Sequence, residues 1–497
     1  IRYLGNDPNT KSILIYMETV GDTRSFLSAA REIALEKPII IIKGGRSEQA
    51  AKAAASHTGS LAGSDEVFDA ALERSGVLRV NTISELFDMA SLMAKQPLPK
   101  GPRLAIITNA GGPSVLATDA AVLNEAEIGP LSQQTIDSLD ALLPKAWSRG
   151  NPIDILGDAD PKRYLETILA LSSDPLIDGI LTILSPQDMT DPTGCANALI
   201  TGSKTIKKPL LASWMGGTSV KEGMRLLNQA NIPTFSYPDD AAKSFATMWR
   251  YSINLASLYE MPSLSEDPLG AYRANQAEDI IETAIREKRT LLTEEESKNL
   301  LHTYGLPIVH TVVSTNPQDA IQQAESIGFP CLLKLFSKTI THKSDVGGVK
   351  LNLQNKEAVE NAFKEIKQSF EKADLGPFEG VTVQAMIKHS GYELIIGSTT
   401  DIQFGPIILF GTGGQLVEIY QDKALGLPPL TLNLAKKLIL KTKIAKTFSG
   451  YRGKAPINIE ELAHILVRFS MLIAENLTIK ECDINPLIAS SVGMIAL

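Results

Sequence analysis

One histidine stands in the stretch AAASHTGSLAGSD, residues 53 to 65, where alanine, serine, threonine and glycine offer no large apolar packing surface. His57 there reads either as a solvated or helix-capping side chain or as a nucleophile. The second reading needs chemistry from elsewhere in the chain. Glu18, at the end of the apolar run ILIYMETV, offers it. One strand, one helix and a second strand lie between the two residues, and parallel neighbouring strands would bring both to the carboxyl edge of a sheet, where α/β proteins keep their ligands. A carboxylate bonded to one imidazole nitrogen fixes the tautomer and leaves the other nitrogen nucleophilic.

Three more stretches carry possible chemistry. TNAGGPSVLATDA passes from a strand through two glycines into a helix with Pro113 in its first turn, where a missing amide costs nothing. The helix start at Gly111, Gly112 and Ser114 is an anion site, or an ordinary strand-to-helix turn. Lys334 ends another strand, and HKSDVGGVK follows, in which Gly347 and Gly348 either let backbone amides approach a phosphate or form a hairpin turn. In ECDINPLIAS, Asp483 and Asn485 share one face of an extended segment. Hard oxygens two residues apart suit a magnesium ion that also holds nucleotide phosphates, while Asn-Pro by itself suits a turn.

The elements that must position these groups follow from periodicity. From residue 13, strand-length apolar runs (ILIYMETV, PIIIIKGG) alternate with helical patterns (TRSFLSAAREIALE, DEVFDAALERSG), which indicates a parallel sheet covered by helices over 1–98. The pattern restarts at LAIITNAGG and runs through GILTILS and PLLASWMGG, giving a second sheet domain of the same class over 99–256. Pro, Ser and Gly without a sustained period mark 257–284 as a linker. Over 285–497 a helix capped by Thr293, with an acidic first turn suited to the helix dipole, precedes β-rich segments with glycine turns, an α+β plan.

Composition narrows the function classes. With 497 residues, 44% of them hydrophobic and 21% charged, the chain is long enough for several cores. A net charge of -8 argues against a nucleic-acid partner, since phosphate affinity needs clustered Lys and Arg. No apolar run approaches the roughly 20 residues that cross a bilayer, and no signal-peptide pattern opens the chain, so a cytoplasmic location without a membrane partner is expected. Cys195, Cys331 and Cys482 lie far apart without CxxC spacing and are expected to be buried small hydrophobes.

Taken together the stretches resemble the NDP-forming acyl-CoA synthetases, the group containing ADP-forming acetate-CoA ligase and, more distantly, succinyl-CoA synthetase. The strings that carry the resemblance are KGGRSEQAAKAAASHTGSLAGSD around His57, THKSDVGGV around His342, TNAGGPSVLATDA, GNPIDILGDAD at 150–160 and DINPL at 483–487. It implies two flavodoxin-like, CoA-ligase-type parallel-sheet domains followed by an α+β ATP-grasp domain. It also implies the reaction: acyl-CoA, ADP and phosphate in exchange for a small carboxylic acid such as acetate, CoA and ATP, with Mg2+. An acyl phosphate forms, and its phosphoryl group passes to His57 and on to the nucleotide.

In the family's pattern Lys334 contacts phosphate and the stretch Gln384 to Met386 is the hinge that meets adenine, with Ala385 where the family often has glutamate. His342 matches a second phosphoryl carrier or a plain nucleotide-loop residue. The resemblance further implies a CoA-binding Rossmann-like domain before Ile1, and an Asp-Ala-Arg continuation after Leu497 whose aspartate would join Asn485 on the metal. A homodimer is the simplest assembly. A different class of function is a synthetase-like, acyl-CoA-sensing region of a protein lysine acetyltransferase, the acetyltransferase domain being fused beyond this chain. The unbroken SHTGS context, with Glu18 in place, favours catalysis. An ATP-grasp ligase without phosphohistidine would leave the His57 loop without a purpose.

Overall fold

A computed structural model describes residues 1–46, 49, 64–260, 274–337, 347–373, 377–387, 391–414 and 422–497. The chain divides into two units, Ile1–Tyr259 and Glu260–Leu497. His57 and His342 lie outside the described residues.

The first unit holds two parallel sheets. β1 (Ile13–Met17), β2 (Ile39–Lys43) and β3 (Leu78–Val80) form the first, in that order. Helices cover a parallel sheet on both faces, so β2 is a continuous run of isoleucine whose Ile39, Ile40 and Ile41 are fully buried. The helix Thr23–Ala34 between β1 and β2 is started by Asp22, whose carboxylate accepts the Ser25 amide at 3.1 Å. The second sheet has β4 (Arg103–Thr108), β5 (Glu127–Ile128), β6 (Ile153–Asp154), β7 (Gly179–Leu184), β8 (Leu210–Trp214) and β9 (Thr234–Phe235). Its order is β5-β4-β7-β8-β9, with β6 also pairing with β4. Ile40, Leu78 and Leu86 share one buried cluster with Ile106, Leu181 and Phe245, so the two expected sheet domains pack as a single unit.

The second unit is α+β. β10 (Thr311–Ser314), β11 (Cys331–Leu335), β12 (Val349–Leu353) and β13 (Val381–Ala385) make an antiparallel sheet of order β10-β13-β11-β12. Leu333, Leu335, Val381 and Val383 point to its covered face, against the helices Pro317–Ile327 and Lys356–Lys372. β14 (Tyr392–Asp401), β15 (Gly405–Thr412), β16 (Lys423–Gly426), β17 (Glu481–Ser490) and β18 (Gly493–Ala496) make a second antiparallel sheet of order β16-β15-β14-β17-β18. It packs on the helix Ile459–Glu475.

The linker expected over 257–284 needs correction. Residues from Ala274 onward form the helix Ala274–Arg286. Ala277, Ile280 and Ile281 recur at helical spacing and join the core of the five-stranded sheet, and this short amphipathic stripe was masked by the Pro and Ser upstream of it. At the other end of the stretch, the helix Pro238–Leu258 overruns the expected boundary by two residues.

Candidate active and nucleotide sites

β1 and β2 run parallel with Met17 opposite Lys43, so Glu18 and Gly44 leave the same sheet edge. The Tyr16 hydroxyl donates to Glu18 Oε1 at 3.2 Å, and the carboxylate it faces holds the phenol above its ordinary pKa. A Cβ on Gly44 would lie 2.8 Å from that hydroxyl oxygen, so the chain leaving β2 passes the Tyr16–Glu18 pair as bare backbone. The ends of the His57 stretch are tied to each other: Arg46 Nε donates to Asp65 Oδ2 at 3.2 Å, and Arg79 donates to Asp65 Oδ1 at 2.6 Å and to Asp69 at 2.9 Å. Lys43 is buried beside them, its ammonium 5.2 Å from the Phe68 ring centroid, and burial lowers its pKa. Glu18 thus stands at the edge from which the His57 stretch departs.

The Glu18–Tyr16 bond is solvent-exposed and tests a local expectation. Glu18→Gln should leave the melting temperature within roughly 2 °C of the parent, as exposed pairs do, while slowing phosphorylation of the chain by ATP. A drop of many degrees at an unchanged rate would make Glu18 a structural residue.

At the carboxyl edge of the second sheet, Asn109 follows β4 and Ser185 follows β7. The buried Asn109 side chain donates to the Ser185 carbonyl and accepts from its amide, both at 2.8 Å. The chain leaves β4 for β5 on one side while β7 lies on the other, so Asn109 sits where the strand order reverses. The helix Gly111–Leu123 opens there without a side-chain cap. Gly111 and Gly112 are exposed, and Pro113 has no amide. Ser114 is buried, and its hydroxyl donates to the Gly111 carbonyl at 2.7 Å, so the outward-facing donors of this helix end belong to the two glycines. Asp154, at the end of β6, places Oδ2 3.8 Å from where a Gly111 Cβ would stand. The amides favour an anion and this carboxylate opposes one.

Asn109→Ala removes both bonds and leaves the half-buried Ser185 amide and carbonyl without this partner. It is expected to destabilise the first unit by about 2 kcal/mol. Trp147, Trp214 and Trp249 all lie in Ile1–Tyr259, so a lower urea midpoint in tryptophan fluorescence reads this loss directly.

The second unit brings the expected nucleotide residues together. Side chains alternate along a strand, so Lys334, between the core residues Leu333 and Leu335, points to the opposite face of its sheet, the face met by Glu294 and Lys298. Thr382 and Gln384 of β13 share that face, opposite Lys334 and Leu332 of β11. Lys334 Nζ donates to Glu294 Oε1 at 2.9 Å, the Gln384 amide donates to the same oxygen at 2.6 Å, and Lys298 Nζ to it at 3.1 Å. Lys298 Nζ also donates to the Thr311 hydroxyl at 3.0 Å. Gly347 and Gly348 lie beside Lys334: Val349 pairs with it, the Leu335 amide donates to the Gly348 carbonyl at 2.6 Å, and Gly347 has a left-handed φ of +69°. The pair ends the long 336–348 connection rather than forming a two-residue hairpin turn. In the expected adenine hinge, the Gln384 amide is engaged by Glu294, and the Met386 N–H donates to the Pro330 carbonyl at 3.0 Å. Both donors are engaged within the protein, one by a helix carboxylate and one by the backbone before β11.

Asp483 and Asn485 lie on exposed positions of β17, next to β14. Asp483 Oδ1 would stand 2.4 Å from a Cβ on Gly397, so its carboxylate occupies room that only glycine leaves. Although the Asp483 side chain is exposed, partial loss of water against the sheet and the charge of Glu481 raise its pKa. The Gly414 amide donates to Asn485 Oδ1 at 2.9 Å, which fixes that oxygen and leaves it a second lone pair. Among the described residues no group of three or more His, Cys, Asp or Glu side chains could hold a metal ion. Two hard oxygens with water and phosphate oxygens suit magnesium, which keeps several non-protein ligands.

Comparison with known proteins assigns each part. Residues 1–93 match the succinyl-CoA ligase like flavodoxin domain, 104–253 the Ligase-CoA domain and 283–497 the ATP-grasp domain. The chain is 36% identical to the 4-hydroxybutyrate–CoA ligase [ADP-forming] of Nitrosopumilus maritimus over 99% of its own length and 70% of that protein's. The chain belongs to the ADP-forming acyl-CoA ligase family. It is 38% identical to acetate–CoA ligase [ADP-forming] I of Archaeoglobus fulgidus, over 98% of this chain and 69% of that one. The structure of an acetyl-coenzyme A synthetase from Ca. Korarchaeum cryptofilum, in complex with phosphate and ADP, is 32% identical, with a TM-score of 0.49 over 51% of this chain and 56% of that one.

For a ligase of this family, sequence reasoning passed over Glu294, Lys298, Asn109 and Asp154. Glu294 carried a signal, being the first residue after the Thr293 cap, but a first-turn acid is explained by the helix dipole alone. Asp154 stood inside a quoted motif without a partner to give it a role.

Proposed function

We propose that this chain performs the central chemistry of an ADP-forming acyl-CoA synthetase, interconverting acyl-CoA, ADP and phosphate with acid, CoA and ATP. The observation that carries the reading is the similarity to ADP-forming ligases along almost the whole chain, 99% of it for the Nitrosopumilus protein. The convergence of Lys334, Gln384 and Glu294 on one sheet face, with Gly347 and Gly348 alongside, supports a phosphate-binding role there.

In this reading phosphate attacks the acyl-CoA carbonyl, the C–S bond breaks, and CoA leaves as an acyl phosphate forms. His57 attacks the phosphorus, the bond to the acyl oxygen breaks, and the free acid departs. Phosphohistidine then passes its phosphoryl group to the terminal oxygen of ADP, restoring the imidazole and giving ATP. Glu18 holds the second ring nitrogen, the Gly111 and Gly112 amides hold phosphate oxygens near the acyl group, and Lys334 holds the nucleotide phosphates. Asp483 and Asn485 would hold magnesium, which when bound offsets charge on those phosphates. His342 is kept as a nucleotide-loop residue and a candidate second carrier.

Two relatives of like identity are named for different acids, 4-hydroxybutyrate and acetate, so the substrate is assigned as a small carboxylic acid. No helix among the described residues is long and apolar enough to cross a membrane. A cytoplasmic homodimer is the assembly proposed. The acyl-CoA-sensing alternative with a fused acetyltransferase is less favoured, because three relatives that match along almost the whole chain are named as ligases.

The test is ATP formation by the full-length protein from ADP, phosphate and either acetyl-CoA or 4-hydroxybutyryl-CoA. ATP with stoichiometric release of CoA supports the reading; acyl-CoA binding without ATP formation from either thioester would replace it with the sensor.

A further inference from the structure

The helix Glu294–Thr303 belongs to two parts of the second unit at once. Leu300 and Leu301 enter the core of the five-stranded sheet, while Glu294 and Lys298, one turn apart, meet Lys334, Gln384 and Thr311 on the face of the four-stranded sheet opposite its own core. Three donors converge on the single oxygen Glu294 Oε1, at 2.6, 2.9 and 3.1 Å.

We propose that Glu294 is a positioning residue for nucleotide phosphates, fixing the Lys334 ammonium on that face, and that Lys298 supplies the charge that keeps Glu294 from cancelling Lys334. The inference rests on reading this face as the nucleotide site.

The charge count supports this. Among the described residues two ammonium groups, those of Lys298 and Lys334, meet the one carboxylate of Glu294, one cation more than anion. Lys298 is the one withdrawn from solvent, 5% exposed and bound to Thr311, and it shares a helix with Glu294, so that pair stays together. Lys334 comes from the facing strand and is the more accessible of the two. The carboxylate stands in the first turn of its helix, where the dipole favours negative charge. Gln384, 2% exposed, donates to the same oxygen and sets its direction. A free lysine stem loses much rotamer freedom when it grips a phosphate, and a stem already held loses less.

The test is calorimetric titration of this chain with ADP plus magnesium and, separately, with adenosine, which has no phosphate. Glu294→Gln and Lys298→Met should each weaken ADP about tenfold, the scale of one hydrogen bond to a charged group, and leave adenosine within twofold. The double variant should bind ADP no worse than the weaker single one, because each change acts through the same lysine. Equal losses for ADP and adenosine, unchanged ADP binding in both single variants, or additive losses in the double variant would each overturn the proposal. Failure of the parent chain to bind ADP at all would instead overturn the nucleotide reading beneath it.

Discussion

Replacing His57 by alanine is expected to abolish ATP formation from acyl-CoA, ADP and phosphate, by at least about 10³-fold, because a covalent carrier has no substitute once its attacking atom is gone. The same variant should still release CoA from acyl-CoA and phosphate in the first half-reaction, since acyl phosphate forms before histidine is needed. ADP should bind as in the parent, because the substitution leaves every expected nucleotide residue in place and removes only the covalent carrier. Retained ATP formation would remove His57 from the route. Loss of both half-reactions together with a lower melting temperature would point to a folding defect instead.

Lys334→Met is the second large effect. Methionine keeps most of the apolar stem and removes the ammonium, while Glu294 keeps Lys298 as its ionic partner, so no carboxylate is left without a counter-charge. The fold should survive with a melting temperature within a few degrees. Transfer to and from nucleotide should fall roughly 100-fold in kcat/KM, equivalent to about 3 kcal/mol of lost phosphate interaction. Most of that loss should appear as a raised KM for ADP if Lys334 mainly binds, and in kcat if it acts mainly in the transition state. Unchanged kinetics would show that the Lys334 face of the four-stranded sheet is not where phosphate sits.

Much of the fold was legible because parallel and antiparallel sheets write different patterns. The isoleucine run of β2 is unbroken and β7 and β8 are buried along their whole length, Thr182 and Ser213 included, because both faces are covered, while β11 alternates, Leu333 and Leu335 inward and Lys334 outward. The same alternation put Lys334, Thr382 and Gln384 on one face. The helix Ala274–Arg286 escaped because its apolar positions are few and Pro-Ser-rich sequence runs into it. Glu294 escaped for a physical reason as well: it meets Lys334 from 40 residues away and Gln384 from 90, and no local pattern records such a meeting. Ser114 shows the converse, since its place in the motif suggested an anion ligand while its hydroxyl is turned inward to Gly111.

The measurement that bears most directly on the central claim is incubation of this chain with γ-labelled ATP and magnesium, followed by treatment of the labelled protein with acid and with alkali. Phosphohistidine predicts label that survives alkali, is lost in acid, is absent from His57→Ala and chases back into ATP on addition of ADP. A chain that binds ATP yet takes up no label, or whose label persists in the His57→Ala variant, would contradict the account.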